Sequence, residues 1–146
     1  MAAQGRVLGV DLGDVRIGVA ISDDARRLAV PLGTVHVGQP PGELKAIAAL
    51  VGEHEVSAVV VGLPLSLDGS RGPRAGLAEA FAEALRSIVS VPVRLHDERL
   101  TTVEAERGLR TAGVTGRDRK AVVDAEAARI LLQSWLETDR GPASSG

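Results

Sequence analysis

An uninterrupted apolar run at residues 57–63 (SAVVVGL) constrains the fold of this 146-residue chain more than any other feature. Such a run is typical of a strand buried on both faces, as in the centre of a parallel sheet. Apolar residues recur at helical spacing before the run, between Leu44 and Val51, and again after Pro73. A helix, a buried strand and a second helix in succession predict βαβ connections and a parallel sheet covered by helices.

The remaining segments extend this pattern into one α/β domain. Residues 6–11 (RVLGVD) and 16–22 (RIGVAIS) are short β-rich runs separated by a turn, which predicts a hairpin, and 30–37 is a third strand. A fifth strand covers 91–95, and helices are expected at about 44–54, 73–88, 101–113 and 119–138. We therefore expect a five-stranded mixed sheet with helices on both faces at residues 1–139, and a flexible tail at 140–146.

Two of these helices carry more specific expectations. The apolar spacing in the second helix predicts that its buried face consists of Leu77, Phe81, Leu85 and Ile88. The third helix is expected to open at Thr101, where Glu104 completes a capping box, and to end at Gly113.

Composition excludes several classes of function. The chain has no cysteine, which removes disulfides, thiolate zinc sites and cysteine nucleophiles. No apolar stretch approaches membrane-spanning length and no secretory signal precedes the first strand, so we expect a cytoplasmic protein without a membrane partner. Phe81 and Trp135 are too few aromatic residues for a base-stacking platform. The net charge of −2 argues, by itself, against a nucleic-acid partner.

Acidic residues collect where the predicted strands end. In a mixed sheet of this kind ligands bind beyond the carboxyl ends of the strands, where we expect Asp11, Asp68 and Glu98 to gather. Side-chain alternation allows only one of the adjacent Asp97 and Glu98 to face a given side, and the residues alone do not decide which. Asp124 lies on the apolar face of the last helix, so it needs a partner there.

Each acid also has a purely structural explanation. Asp11 could close a turn at a strand end, and Asp97 and Glu98 could cap the following helix, although Thr101 already fits that role. Asp124 near a helix N-terminus complements the helix dipole. Taken together, however, carboxylates from separate elements at one sheet edge are the oxygen ligands that Mg²⁺ prefers, and paired ions of this kind support phosphodiester cleavage.

Basic residues follow the acids along the chain and fit a phosphate-binding track. Residues 64–120 carry ten basic and eight acidic side chains, so the segment around Glu98 is basic although the whole chain is not. If the acids hold cations, the mild overall acidity no longer excludes nucleic acid, whose binding would then depend on the metal. The candidate nucleic-acid-binding residues are Arg16, Arg71, Arg74, Arg99 and Lys120.

Four sequence blocks, in order and spanning about residues 6–138, resemble the YqgF/RuvX family: GVDLGDVRIGVAISD, VVGLPLSLDGSRGP, LHDERLTT and RKAVVDAEAA. The resemblance implies an RNase H-like fold and a nuclease that hydrolyses phosphodiester bonds of structured nucleic acid. It makes Asp11, Glu98 and Asp124 the catalytic, metal-binding residues, with Mg²⁺ or Mn²⁺ as cofactor, and so selects Glu98 over Asp97. The substrate it implies is precursor 16S rRNA or a branched DNA (Holliday) junction, with a monomer or homodimer as the active form.

Two other functions remain open at this point. The loop from Asp11 to Gly13 also resembles the first phosphate loop of actin-like ATPases and sugar kinases, although those proteins need two lobes and 146 residues supply one. Alternatively, the chain is a non-catalytic module that binds nucleic acid or assembling ribosomes and keeps its acids for structural reasons.

Overall fold

A computed structural model of the chain describes residues 5–38, 42–66, 68–100 and 116–139, with only the backbone described for 100, 116–121 and 139. The helix predicted from Thr101 to Gly113, the side chain of Lys120 and the predicted tail lie outside the described residues. The elements are β1 (Val7–Leu12), β2 (Arg16–Ser22), β3 (Ala29–His36), α1 (Gly42–Glu53), β4 (Ala58–Leu63), α2 (Pro73–Arg86), β5 (Val93–Asp97), a 3₁₀ turn (Glu98–Leu100) and α3 (Gly116–Asp139).

The five strands form one mixed sheet in the order β3-β2-β1-β4-β5. The hairpin strands β1 and β2 pair antiparallel, as do β2 and β3, whereas β4 lies parallel to both β1 and β5. The run at 57–63 forms the interior strand β4, between β1 and β5, and its residues Val59, Val60 and Val61 are completely buried. The expected α/β architecture is confirmed.

Helices cover both faces of the sheet, as predicted. Leu8 and Val10 of β1 belong to the core beneath α1 and α2. Val7, on the alternate side of the same strand, packs with Leu132 and Leu136 of α3 in a second core. The alternation of β1 therefore divides its residues between two cores, and Asp11 falls on the side of Val7, facing α3.

The predicted buried face of α2 is only half right: Leu85 is buried and Phe81 packs against the core, whereas Leu77 and Ile88 are exposed. The residues of this helix that are buried against the sheet are mainly alanines: Ala75, Ala78 and Ala82, together with Leu85. Leu77 is 67% exposed and Ile88, beyond the end of the helix, is 49% exposed. Small side chains allow a helix to approach a sheet closely, so an alanine stripe forms most of the buried contact here.

Within the described part of the chain, no helix is both long enough and apolar enough to cross a membrane.

Candidate active site

The candidate site lies at the end of β1, between its two neighbouring strands. Asp11 pairs across the sheet with Gly18 of β2. On the other side Val10 is opposite Val61 of the parallel strand β4, so Asp11 and Gly62 follow side by side. Asp11 is thus flanked by two glycines, and on the α3 face the space above each glycine is open to a group from another element.

The Glu98 carboxyl occupies the space above Gly62. A Cβ atom added to Gly62 would lie 2.5 Å from Oε2 of Glu98, closer than real Cβ contacts come. Glu98 follows β5 directly, in the first position of the 3₁₀ turn. The absence of a side chain at Gly62 therefore lets the Glu98 carboxyl cross over β4 and reach Asp11.

Asp11 and Glu98 share a hydrogen bond, and each perturbs the ionisation of the other. Burial raises the pKa of Glu98 to about 8, and the charge of Asp11 and the hydrogen bond to it act in the same direction. Burial also raises the pKa of Asp11, where the charge of Asp124 adds to the effect and the hydrogen bond from Glu98 opposes it. Ionising both of these neighbouring carboxyls costs free energy, because two like charges would then be buried side by side. The pair therefore retains one proton at neutral pH.

The structure brings Glu98, rather than its neighbour Asp97, to Asp11. Asp97 faces the other way and is engaged by Arg99, which donates from its backbone N–H and from its guanidinium at 2.9 and 2.6 Å. These bonds hold the pKa of Asp97 below its usual range. The alternation of β5, in which His96 and then Glu98 face α3, decides what the residues alone left open.

Asp124 reaches the site from α3, above Gly18. A Cβ at Gly18 would overlap the backbone carbonyl oxygen of Asp124, so this glycine sets how closely α3 approaches β2. The Asp124 side chain accepts a hydrogen bond from Nε of Arg16 at 3.0 Å. All three predicted acids therefore meet at this end of the sheet, with two of them in direct contact and Asp124 paired with Arg16.

The predicted basic residues differ in what they contact. Arg74, an exposed residue in the first turn of α2, lies near enough to lower the pKa of both Asp11 and Glu98. Arg71, in the loop before α2, forms an ion pair with Glu79 of that helix, and Arg99 pairs with Asp97. Among the described predicted basic residues, Arg74 is therefore the one whose charge acts on both members of the acid pair.

Asp68 does not join the acids, contrary to expectation. It is exposed in the loop after β4, where its carboxylate accepts a hydrogen bond from the Ser70 N–H at 2.9 Å. A hydrogen bond with the Ser70 side chain, together with this backbone bond and the charge of Arg99, lowers the pKa of Asp68. Asp68 and Ser70 therefore form a short turn within the loop. The Asp68 carboxylate is bound inside this turn and does not join Asp11 and Glu98.

Asp11, Glu98 and Asp124 offer carboxylate oxygens as ligands, which suits a hard divalent cation. The hydrogen-bonded Asp11 and Glu98 are two carboxyls held together by burial, and a cation would neutralise them as the shared proton does. Within the described residues, however, no three or more histidine, aspartate and glutamate side chains form a ready-made metal site. The chemistry of the three acids therefore fits a metal, but Asp124 is hydrogen-bonded to Arg16 rather than directed at Asp11 and Glu98.

Sequence reasoning missed Gly62. The usable signal was a glycine near the end of a buried strand, at a position whose side chain would have faced α3 beside Asp11. It also missed the pairing of Arg16 with Asp124, two residues 108 positions apart for which the sequence holds no pattern.

Comparison with known proteins agrees with this architecture. A sequence-family profile described as RuvX, Holliday junction resolvase, matches residues 5–138. A protein of Anaeromyxobacter dehalogenans, provisionally named a pre-16S rRNA nuclease, is 50% identical over 132 residues that cover 90% of this chain and 96% of that protein. A protein of Chloroflexus aggregans with the same name is 46% identical over 136 residues, covering 93% and 96%.

Two solved structures share the fold. Thermus thermophilus RuvC in complex with a Holliday junction superposes with a TM-score of 0.59 at 18% identity, covering 94% of this chain and 97% of that one. The fowlpox virus resolvase in complex with Holliday junction DNA gives a TM-score of 0.56 at 11% identity, covering 91% and 97%. At these identities the likeness concerns the fold, which is that of the RNase H-like resolvases.

Proposed function

The chain belongs to the RuvX family and is a nuclease of that family; from this premise we propose that it is a divalent-metal-dependent hydrolase acting on structured RNA, with the 5′ region of precursor 16S rRNA as substrate. The observation that carries the proposal is the hydrogen-bonded pair of Asp11 and Glu98, buried at the strand ends with Asp124 beside it. The names of relatives about 50% identical to this chain favour precursor rRNA as the substrate.

In this proposal Asp11, Glu98 and Asp124 hold Mg²⁺ or Mn²⁺. When bound, such an ion activates water and stabilises the charge that develops on the phosphate oxygens during hydrolysis. Burial of the acid pair keeps water away from the carboxylates, which strengthens their attraction for a cation. Asp11 and Glu98 must release their shared proton before both can act as ligands, so the pair couples metal binding to pH.

The basic residues would position the nucleic acid. The guanidinium of Arg74 lies near both acids and can meet the phosphate that approaches them. Arg71 and Arg99 are partly neutralised by Glu79 and Asp97, so they fit phosphates further along the strand. Lys120, whose side chain is outside the described residues, stays a predicted contact in the same track.

The test is cleavage of a transcript containing the 5′ precursor region of 16S rRNA, in Mg²⁺ and in EDTA, by the wild type and by Asp11→Asn. Asp24→Asn is the matched control, since it makes the same chemical change at a side chain 80% exposed near the opposite end of the sheet. We expect Asp11→Asn to lose about 100-fold or more in rate and Asp24→Asn to match the wild type. Equal rates for all three proteins would remove the acid pair from the mechanism.

A branched DNA junction is the second candidate substrate, because the family description names it. A four-way junction in the same assay separates the two: preferential cleavage of the junction would replace RNA as the substrate. Symmetric cleavage of a junction requires two active sites and therefore a homodimer, whereas trimming of RNA needs one, so the mass of the protein in solution with each substrate gives an independent measurement. Tight binding without cleavage of either substrate would favour a non-catalytic binding module.

A further inference from the structure

Arg16 and Asp124 form an ion pair between two elements that the sequence places far apart. Arg16 is the first residue of β2, and its Nε donates to Oδ2 of Asp124 on α3 at 3.0 Å. The two side chains are only 19% and 30% exposed, so water screens their attraction less than that of a surface pair. The Arg16 guanidinium thus engages the Asp124 carboxylate directly.

The backbone of Asp124 is held in place while its side chain can turn. Its carbonyl oxygen fills the space above Gly18, which fixes the position of this part of α3. The charge of Asp124 is felt by Asp11, yet the described carboxylates do not converge on a common three-ligand centre. Bringing Asp124 to the acid pair therefore needs a side-chain rotation away from Arg16 rather than a movement of the helix.

Next to this ion pair lies a cavity of about 260 Å³. It is bounded by the β1–β2 turn and by α3, and its lining residues are Gly13, Asp14, Val15, Arg16, Val123 and Asp124. An Arg16 side chain that leaves Asp124 has this space beside it and remains close to the acids.

We propose that Arg16 is an exchangeable counter-ion of Asp124, which must release the carboxylate before Asp124 can join Asp11 and Glu98 around a divalent cation. The freed guanidinium then turns towards the cavity, where it takes a phosphate of the nucleic acid. This inference rests on the proposed function and adds a regulatory role for one residue. Metal and nucleic acid must then favour each other's binding, because each draws one partner out of the same ion pair.

The first measurement is calorimetric titration of Mn²⁺ and of Mg²⁺ into the wild type and Arg16→Gln without nucleic acid. Removing the competing cation should tighten metal binding by about 3- to 10-fold, the size expected for a partly buried ion pair. Arg129→Gln is the matched control. It removes an equal charge from the Arg129–Glu126 pair on α3, the helix that carries Asp124, and should leave the affinity unchanged. Arg16→Lys, which keeps the charge and is less disruptive to folding, should bind metal about as the wild type does.

An unchanged or weaker affinity in Arg16→Gln would overturn the proposal, since Arg16 would then be a structural or supporting partner of Asp124. This result is distinguishable from failure of the proposed function: in that case neither protein binds either ion at millimolar concentration. Metal binding by Arg16→Gln but not by the wild type would support the exchange most directly.

The second measurement follows the guanidinium itself. The Arg16 Nε–H resonance, assigned by its loss in Arg16→Lys, should be protected from exchange with water in the metal-free protein and should lose that protection as Mg²⁺ is added. A four-way junction or structured RNA added afterwards should tighten Mn²⁺ binding to the wild type, and by a smaller factor to Arg16→Gln. A resonance that does not respond to the metal, or equal coupling in the two proteins, would refute the exchange.

Discussion

Replacing Glu98 by glutamine should change how the stability of the metal-free protein depends on pH. The pKa of Glu98 is about 8 in the folded protein against an ordinary 4.5, so the folded state keeps a proton that the unfolded chain has already lost. The stability contributed by this proton is complete below the unfolded pKa and is lost as pH rises through the folded one. Glutamine has no proton to lose, so the variant lacks this decline.

The magnitude follows from the two pKa values. Each pH unit between them costs about 1.4 kcal/mol, and the loss levels off above the folded pKa. Between about pH 6.5 and 9 the wild type should therefore lose about 2 kcal/mol of unfolding free energy relative to Glu98→Gln. We begin the comparison at about pH 6.5 because of His96, which is half-buried and whose pKa is lowered by burial. In more acidic solution this residue makes the unfolding free energy rise with pH, which opposes the effect of Glu98.

The assay is urea unfolding in EDTA at several pH values across this window, for the wild type, Glu98→Gln and Glu83→Gln. Glu83 is 71% exposed, so its substitution makes the same chemical change without burial and should leave the pH dependence of the wild type intact. Mg²⁺ should restore stability to the wild type at alkaline pH more than to Glu98→Gln. Parallel stability curves for the wild type and Glu98→Gln would refute the shared proton at the site.

Three further predictions concern packing and charge around the site. Gly18→Ala should displace α3 by about 1 Å and lower the cleavage rate by about 100-fold, whereas Gly76→Ala, with open space around its Cβ position, should leave the rate unchanged. Arg74→Gln should raise the KM for nucleic acid, and should flatten its salt dependence by about one counter-ion, as measured by titration in 50 to 200 mM salt. Ala78→Leu should cost about 1–3 kcal/mol in urea unfolding, because Ala78 is fully buried against the sheet, while Leu77→Ala at an exposed position should cost less than about 0.5 kcal/mol. Unchanged cleavage by Gly18→Ala, unchanged salt dependence of Arg74→Gln or equal stability of the two helix variants would each contradict the corresponding argument.

Local patterns in the chain were enough to predict the architecture. The short β-rich runs of β1 and β2, the continuous apolar run of β4 and the helical spacing on either side of it are properties of neighbouring residues. They reappear as the strands and helices of the structure. The order of elements then restricts the connections, because right-handed crossovers place β4 and β5 parallel to β1. The same patterns placed Asp11 and Glu98 at one edge of the sheet.

The sequence-based predictions failed where the outcome depended on how closely two elements pack. The large residues Leu77 and Ile88 suggested the buried face of α2, but alanines form it because the helix lies close to the sheet. Asp68 was expected beside Asp11, but a short turn bonded to Ser70 keeps it in the loop. Periodicity assigns a residue to a face, and it contains no information on how far apart two faces stand.

The sequence by itself therefore determined the family, the order of the elements and the kinds of side chain available at the end of the sheet. Only the tertiary structure decided how those side chains pair: Glu98 crosses Gly62 to meet Asp11, Asp97 turns to Arg99, and Asp124 is held by Arg16. The physical reason is that strand and helix periods are set by the local backbone. Partners 108 positions apart meet only when packing brings two elements within hydrogen-bonding distance, and here glycines at two strand positions make that approach possible.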